Sequence, residues 1–145
     1  RDVHSLCPLA AMRFFDPNRI VTTECISRQE ILWASEQALR SKGADTVVIH
    51  LSQGPSLRES RRLQLAAEEG RSLGLVIIEK CAQSSAAQTR WQCNPQKTSE
   101  QAANDRGWVW ELTKNKSGKL GKWFVGWKGN GHASGHVDMV SAASI

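Results

Sequence analysis

The stretch "ALRSKGADTVVIHLS" (residues 38–52) decides the fold. Thr46, Val47, Val48 and Ile49 are four β-branched residues in a row, followed by His50 and Leu51. An apolar run without alternation predicts a buried strand. Lys42 and Gly43 supply the basic last turn and the glycine that close a helix just before it. A strand reached from a helix in three residues is what a parallel sheet covered on both faces gives. His50 stands at the C-terminal end of this strand, where open α/β sheets bind ligands. It reads as a base or metal ligand, or more simply as a partly buried, hydrogen-bonded spacer. No second histidine lies near it in sequence, and no spacing argument brings Asp45 or Glu79 to it.

Upstream, residues 27–41 predict a helix. Ser27 and Glu30 have capping-box spacing, and Ile31, Leu32, Ala34, Ala38 and Leu39 form an apolar stripe. Before it, "PNRIVTTECIS" predicts a short strand over 19–23, while residues 1–16 read as irregular or as the remnant of a helix. Downstream, "SQGPSLRES" is a loop, and a second helix runs from about Leu57 to Ser72 with Leu63, Ala66, Ala67 and Gly70 facing a sheet. "LGLVIIEK" repeats the buried-strand pattern. Strand, helix, strand, helix, strand is the order of an α/β fold with right-handed crossovers.

After Lys80 the texture changes. "CAQSSAAQ" is a polar loop, 89–93 a strand stopped by Asn94-Pro95, and 96–107 a polar connection. "WVWELTK" and "KWFVGWK" flank "NKSG" as a hairpin over 108–128, with Trp108, Trp110 and Leu112 on one face of the first arm and Trp123, Val125 and Trp127 on one face of the second. A Gly/Ser/Ala-rich tail over 129–145 is expected to be flexible. The expected organisation is one domain over 1–128 followed by that tail.

The bulk numbers fit such a domain. The chain has 145 residues, 40% hydrophobic and 23% charged, which makes wholesale disorder an unsuitable reading. It has no run near the roughly 20 apolar residues of a membrane span and no signal-like start, and membrane binding is not expected. The sequence opens on Arg1 instead of a methionine, and reads as truncated or processed. Cys7, Cys25, Cys81 and Cys93 are too far apart for a metal knuckle and read as reduced thiols of a cytoplasmic protein. Net charge is +5, and five lysines with no acid lie between Lys114 and Lys128. That balance permits an acidic partner.

No constellation announces catalysis. The pattern G-x-x-x-x-G-K-[ST] is absent, and "GKLGKW" lacks both the preceding strand and the following helix. Ser60, Ser84 and Ser85 have neither a G-x-S-x-G elbow nor a Ser-x-x-Lys context. "HASGHVD", with His132, His136 and Asp138, has i, i+4 histidines but sits among glycines without the helix that spacing needs. No metal site is expected. Arg58, Arg61 and Arg62 gather at the start of the second helix, against its dipole. They point to a phosphate or acidic partner, or are screened by Glu59, Glu68 and Glu69. Lys114, Lys116 and Lys119 beside the hairpin tryptophans suit single-stranded nucleic acid. The same tryptophans at period two read equally as sheet core, and the turn lysines as edge protection.

With these elements in place, "LRESRRLQLAAEEGRSLGLVIIEK", then "AAQTRWQCNP" and a W-x-L hairpin, resemble the ImuA family of damage-inducible mutagenesis proteins, over about residues 17–128. That family is related to the recombinase RecA. The resemblance implies a RecA-like, P-loop NTPase-type fold with a mainly parallel sheet and flanking helices, here without the P-loop. It implies that "TVVIHLS" is the strand that in RecA ends in the Walker B aspartate, a position held by His50. The matching DNA-gripping loops, "SQGPSLRES" and "CAQSSAAQ", are short, so RecA-style filament binding is not expected.

The function the resemblance implies is that of a non-catalytic accessory protein in SOS-induced, error-prone translesion synthesis. Its partners would be an ImuB-like Y-family polymerase homologue and the error-prone polymerase complex, with RecA and weakly held DNA as further partners. Arg58, Arg61, Arg62, Lys114, Lys116 and Lys119 are the candidate contacts. No cofactor is expected, ATP entering only with residues upstream of Arg1. The alternatives are a RecA-type ATPase fragment and a single-stranded DNA-binding module that uses the Trp/Lys hairpin.

Overall fold

The computed structural model describes Met12 and residues 16–80, 84–96, 107–128 and 136–142. The fold is mixed α/β and divides into two compact units: Thr23–Ala87, and Arg1–Thr22 with Gln88–Ile145.

The first unit is a β–α–β arrangement preceded by a helix. Helix α1 spans Arg28–Arg40, strand β1 Thr46–Gln53, helix α2 Leu57–Gly70 and strand β2 Leu73–Lys80. Ser27 caps α1 by accepting from the Glu30 N–H at 3.2 Å, while the Glu30 carboxylate reaches back to the Ile26 N–H at 2.8 Å, one residue beyond the expected reciprocal donor. The left-handed residue after α1 is Lys42, at φ 60°, where the sequence suggested Gly43. Helix α2 carries the full capping box: Ser56 Oγ accepts from the Glu59 N–H and Glu59 accepts from the Ser56 N–H. Such a box stabilises a helix start by about 1 kcal/mol.

β1 and β2 pair in parallel, Thr46 opposite Leu73 through Gln53 opposite Lys80. Both helices lie on one face. Leu39, Ile49, Leu51, Leu63 and Ala66 make the core there, with Ile31, Leu32, Val47, Ala67, Val76 and Ile78 packed against it. Each fully buried leucine contributes about 1.5–3 kcal/mol. The two helices approach closely where Gly70 meets the backbone of Leu39: a Cβ on Gly70 would sit 1.8 Å from the Leu39 carbonyl oxygen. Gly70 thus serves the helix crossing, not the sheet. The Ser72 hydroxyl donates to the same carbonyl at 2.8 Å.

The expected double cover is not met. Val48, Leu73, Leu75 and Ile77 on the other face are 48–61% exposed, because both available helices occupy the same side.

The second unit is a four-stranded antiparallel sheet in the order β3-β4-β5-β6, with β3 Thr89–Gln96, β4 Gly107–Asn115, β5 Gly121–Lys128 and β6 His136–Ser141. Among the described strands, a parallel pairing is confined to β1–β2; the expectation of a mainly parallel sheet is met there alone. The predicted hairpin is β4–β5, with its turn held by Asn115, which accepts from the Ser117 N–H and donates to the Lys119 carbonyl. β3 runs past the predicted stop at Asn94-Pro95 because it is an edge strand, where a missing N–H costs no ladder bond. Within the segment read as a flexible tail, residues 136–141 form β6 against β5. The strand expected over 19–23 does not form. Pro17–Arg19 is a 3₁₀ turn capped by Asp16, and residues 20–25 follow without a strand partner, Val21 being 92% exposed.

Candidate functional site

Two places collect the residues that the sequence singles out, one in each unit. In the β–α–β unit, the alternation of β1 puts Thr46, Val48, His50 and Ser52 on the face away from the helices, and β2 adds Leu73, Leu75, Ile77 and Glu79. His50 Nε2 lies 3.5 Å from Glu79 Oε1, both side chains about half exposed. Sequence spacing had not joined them. The signal was available: the two apolar strands aligned end to end place Glu79 opposite Ser52, diagonal to His50.

Beside this strand end, Arg28 closes the loop that follows β1. Its guanidinium donates to the carbonyls of Gln53 at 2.9 Å and Gly54 at 3.3 Å, and meets Glu59 at 2.9 Å. The Arg28 guanidinium first, and the Ser56 N–H next, hold the Glu59 carboxyl at about 2, well below its usual value. The capping box therefore already supplies the start of α2 with a carboxylate, where an anionic ligand would otherwise sit.

The three arginines of that helix do not act as one cluster. Arg62 meets Glu36 of α1 at 2.6 Å, and Arg61 donates to Gln64 within α2, while Arg58 is exposed. The screening acid is Glu36, not the Glu59, Glu68 and Glu69 suggested by the sequence: Glu59 meets Arg28, Glu68 accepts from Gln64, and Glu69 meets Arg40. Ser60, read as a non-nucleophile, is buried and accepts from the Ala86 N–H at 2.8 Å.

In the sheet, register separates the aromatic residues from the cations. Trp91 lies opposite Leu112, Trp110 opposite both Cys93 and Trp123, and Trp108 opposite Pro95 and Val125. Trp91 packs edge-on against Trp110 at 6.1 Å and tilted against Trp123 at 5.3 Å. Leu112 and Val125 are buried among them. Trp91, Trp108, Trp110 and Trp123 thus work as sheet core, with Trp91 40% exposed.

On the opposite face, Lys114 stands across from Arg90, and Lys122 lies 3.8 Å from Glu111. Lys116 and Lys119 occupy the turn and are exposed. Desolvation, then Lys116 and Arg90, lower the pKa of Lys114, so three cations share one neighbourhood. Arg90 was missed by sequence reading because its partner in register depends on a bulge.

Among the described residues, no three His, Cys, Asp or Glu side chains gather as a metal site, and no helix is long and apolar enough to cross a membrane. His132 lies outside the described residues. Cys25 and Cys93 are free thiols. Compared with models of protein families, with curated proteins and with solved structures, the chain matches none.

Proposed function

We propose that the chain is a non-catalytic accessory protein of damage-induced, error-prone DNA synthesis, a RecA-like scaffold of the ImuA type that acts in the cytoplasm through contacts with other proteins. The observation that carries this reading is His50. A RecA-type ATPase needs an aspartate at the end of this strand to position Mg²⁺ and water. Here an imidazole stands in that place, directed at Glu79. A neutral imidazole offers one nitrogen acceptor and no carboxylate oxygen, a poor match for a hard cation. The resemblance supplies the partners: an ImuB-like polymerase homologue and its error-prone polymerase. Arg58 and Arg61, which make no ion pair to α1 comparable with that of Arg62, are the contact candidates on α2.

The test is capture of an ImuB-like protein by the immobilised chain. Retention is expected, falling at least tenfold with Arg58→Glu plus Arg61→Glu and less with Arg62→Gln. Undiminished capture by the double variant removes the α2 surface, and no capture at all removes the partner. A second reading draws on Glu79, whose carboxylate lies beside His50 and could serve a RecA-type ATPase. Mg²⁺-dependent ATP hydrolysis by the chain, abolished by Glu79→Gln, would establish that reading instead.

A further inference from the structure

The face of the β1–β2 sheet turned away from the helices has no cover among the described residues. Its middle is apolar, with Val48, Leu73, Leu75 and Ile77 48–61% exposed. Together these side chains leave on the order of 400 Å² open, as much as the largest patch of an ordinary monomer and about half of one partner's share of a standard interface. Patches of that size mark contact sites. The ionisable residues that share this face are His50 and Glu79, paired at its C-terminal rim with Nε2 3.5 Å from Oε1. There is no row of cations along it for a nucleic acid backbone.

The face is complementary to itself. β1 and β2 run parallel, Thr46 level with Leu73, Val48 with Leu75 and His50 with Ile77. Two sheets packed face to face lie about 10 Å apart with their strands within about 30° of one another. A two-fold axis along the strands, midway between the sheets, sets each β1 over the β2 of the other copy. Val48 then meets Leu75, Thr46 meets Leu73 and His50 meets Ile77, each contact made twice, as an isologous interface requires. The same axis brings both His50–Glu79 pairs to one rim, so that each carboxylate has two imidazoles for neighbours.

The spacing within each pair has a chemical meaning. Two ligand atoms of a tetrahedral zinc ion, each about 2.0–2.1 Å from the metal, stand about 3.3 Å apart. His50 Nε2 and Glu79 Oε1 are 3.5 Å apart, and both side chains are half exposed. Among the described residues no third His, Cys, Asp or Glu joins them within one chain. We propose that the chain pairs with itself through the open face of β1–β2, and that His50 and Glu79 of both copies form a site on the two-fold axis for a divalent metal ion of the zinc class. Imidazole with carboxylate suits such an ion, whereas Mg²⁺ takes oxygen ligands. The apolar contacts set the register of the two copies, and the metal fastens the rim. The inference stands independently of the accessory role proposed above.

The test is sedimentation velocity of the full, untagged chain from micromolar to sub-millimolar concentration, with and without Zn²⁺. Expected is a monomer–dimer equilibrium that one Zn²⁺ for two chains tightens at least tenfold. His50→Ala should remove the zinc effect while the metal-free equilibrium changes little, and Glu79→Gln should reduce the zinc effect severalfold. Val48→Lys plus Leu75→Lys sets like charges opposite one another across the interface and should leave a monomer with or without zinc. Val48→Thr plus Leu75→Thr, neutral and compatible with a strand, should weaken pairing severalfold and serves where the first double variant does not fold. Circular dichroism at 222 nm verifies the helices of each variant. Co²⁺ in place of Zn²⁺ should give a tetrahedral visible spectrum without thiolate charge transfer. A chain that remains monomeric with zinc, pairing that zinc does not strengthen, or a zinc effect that survives His50→Ala overturns the proposal. Pairing indifferent to both double variants overturns it too, as does growth beyond a dimer, which would mean an open, head-to-tail contact. A monomer that binds an apolar dye, with the signal lost on Val48→Lys plus Leu75→Lys, also overturns it and gives the face to a different partner.

Discussion

In the β–α–β unit, Arg28, Arg40 and Arg62 each meet an acid from another element. Arg28 meets Glu59 across the loop after β1, Arg62 meets Glu36 between helices, and Arg40 bridges Glu36 and Glu69. In the antiparallel sheet Arg90, Lys114 and Lys116 are neighbours of one another, and the tryptophans carry the packing on the reverse side. The first unit uses charge to join its helices and leaves apolar residues open on its sheet. The second uses aromatic packing to hold one face of its sheet and gathers cations near the other. If the comparison is right, backbone contact between helices limits the stability of the first unit, and ring placement limits that of the second.

The largest effect is expected at Gly70. A methyl group there would stand 1.8 Å from the carbonyl oxygen and 2.8 Å from the carbonyl carbon of Leu39, both backbone atoms that cannot turn aside. Gly70→Ala must separate the helices or distort them, at a cost of more than about 3 kcal/mol. The described α-helices all belong to this unit, so thermal unfolding followed at 222 nm reports it. A fall in the midpoint of several degrees or loss of the helical signal is expected. An unchanged midpoint would mean that the helices do not cross through Gly70.

Gly121 tests the other unit. The indole of Trp123 lies over it, and a Cβ would come within 2.6 Å of Trp123 Cη2 and 3.0 Å of Cζ2. A ring can tilt where a backbone cannot, so Gly121→Ala should cost about 1–3 kcal/mol. The more specific readout is the near-ultraviolet signal of the Trp91, Trp110 and Trp123 cluster, which should fall while the 222 nm helix signal is unaffected. Loss of both together would show that the two regions are not independently held.

The sites differ in how far they could be read in advance. Both helices, the two apolar strands and the Trp hairpin follow from local pattern: capping residues, period 3.6, β-branched runs and "NKSG". The burial of one sheet face only does not, because an unalternating strand specifies that cover is suitable, not how many helices supply it. The 19–23 strand has β-branched residues but no partner, and strand propensity without pairing fixes nothing. His50 was legible as a residue; its neighbour Glu79, 29 positions later, depends on parallel register. Arg90 beside Lys114 was beyond reach, since one inserted residue at a bulge decides which side chains face each other.

The smallest effect separates charge from capping at Glu59. Its carboxyl titrates at about 2 in the folded chain against an ordinary 4.5, chiefly because Arg28 and the Ser56 N–H bind the ionised form. A depressed carboxylate stabilises the fold above its unfolded value, and that stabilisation is lost as pH falls from about 4.5 toward 2. Gln at this position keeps the oxygen that accepts from Ser56 and loses the charge that meets Arg28. Glu59→Gln should therefore cost about 1 kcal/mol or less at pH 7, since the pair is partly exposed. The loss should shrink between pH 4.5 and 2 and vanish below, while the deficit of Arg28→Gln should shrink over the same window to the constant part left by its bonds to the Gln53 and Gly54 carbonyls. A deficit that stays constant through that window would assign Glu59 to the helix cap alone. Arg28 would then be tied to this loop through the Gln53 and Gly54 carbonyls, with no contribution from charge.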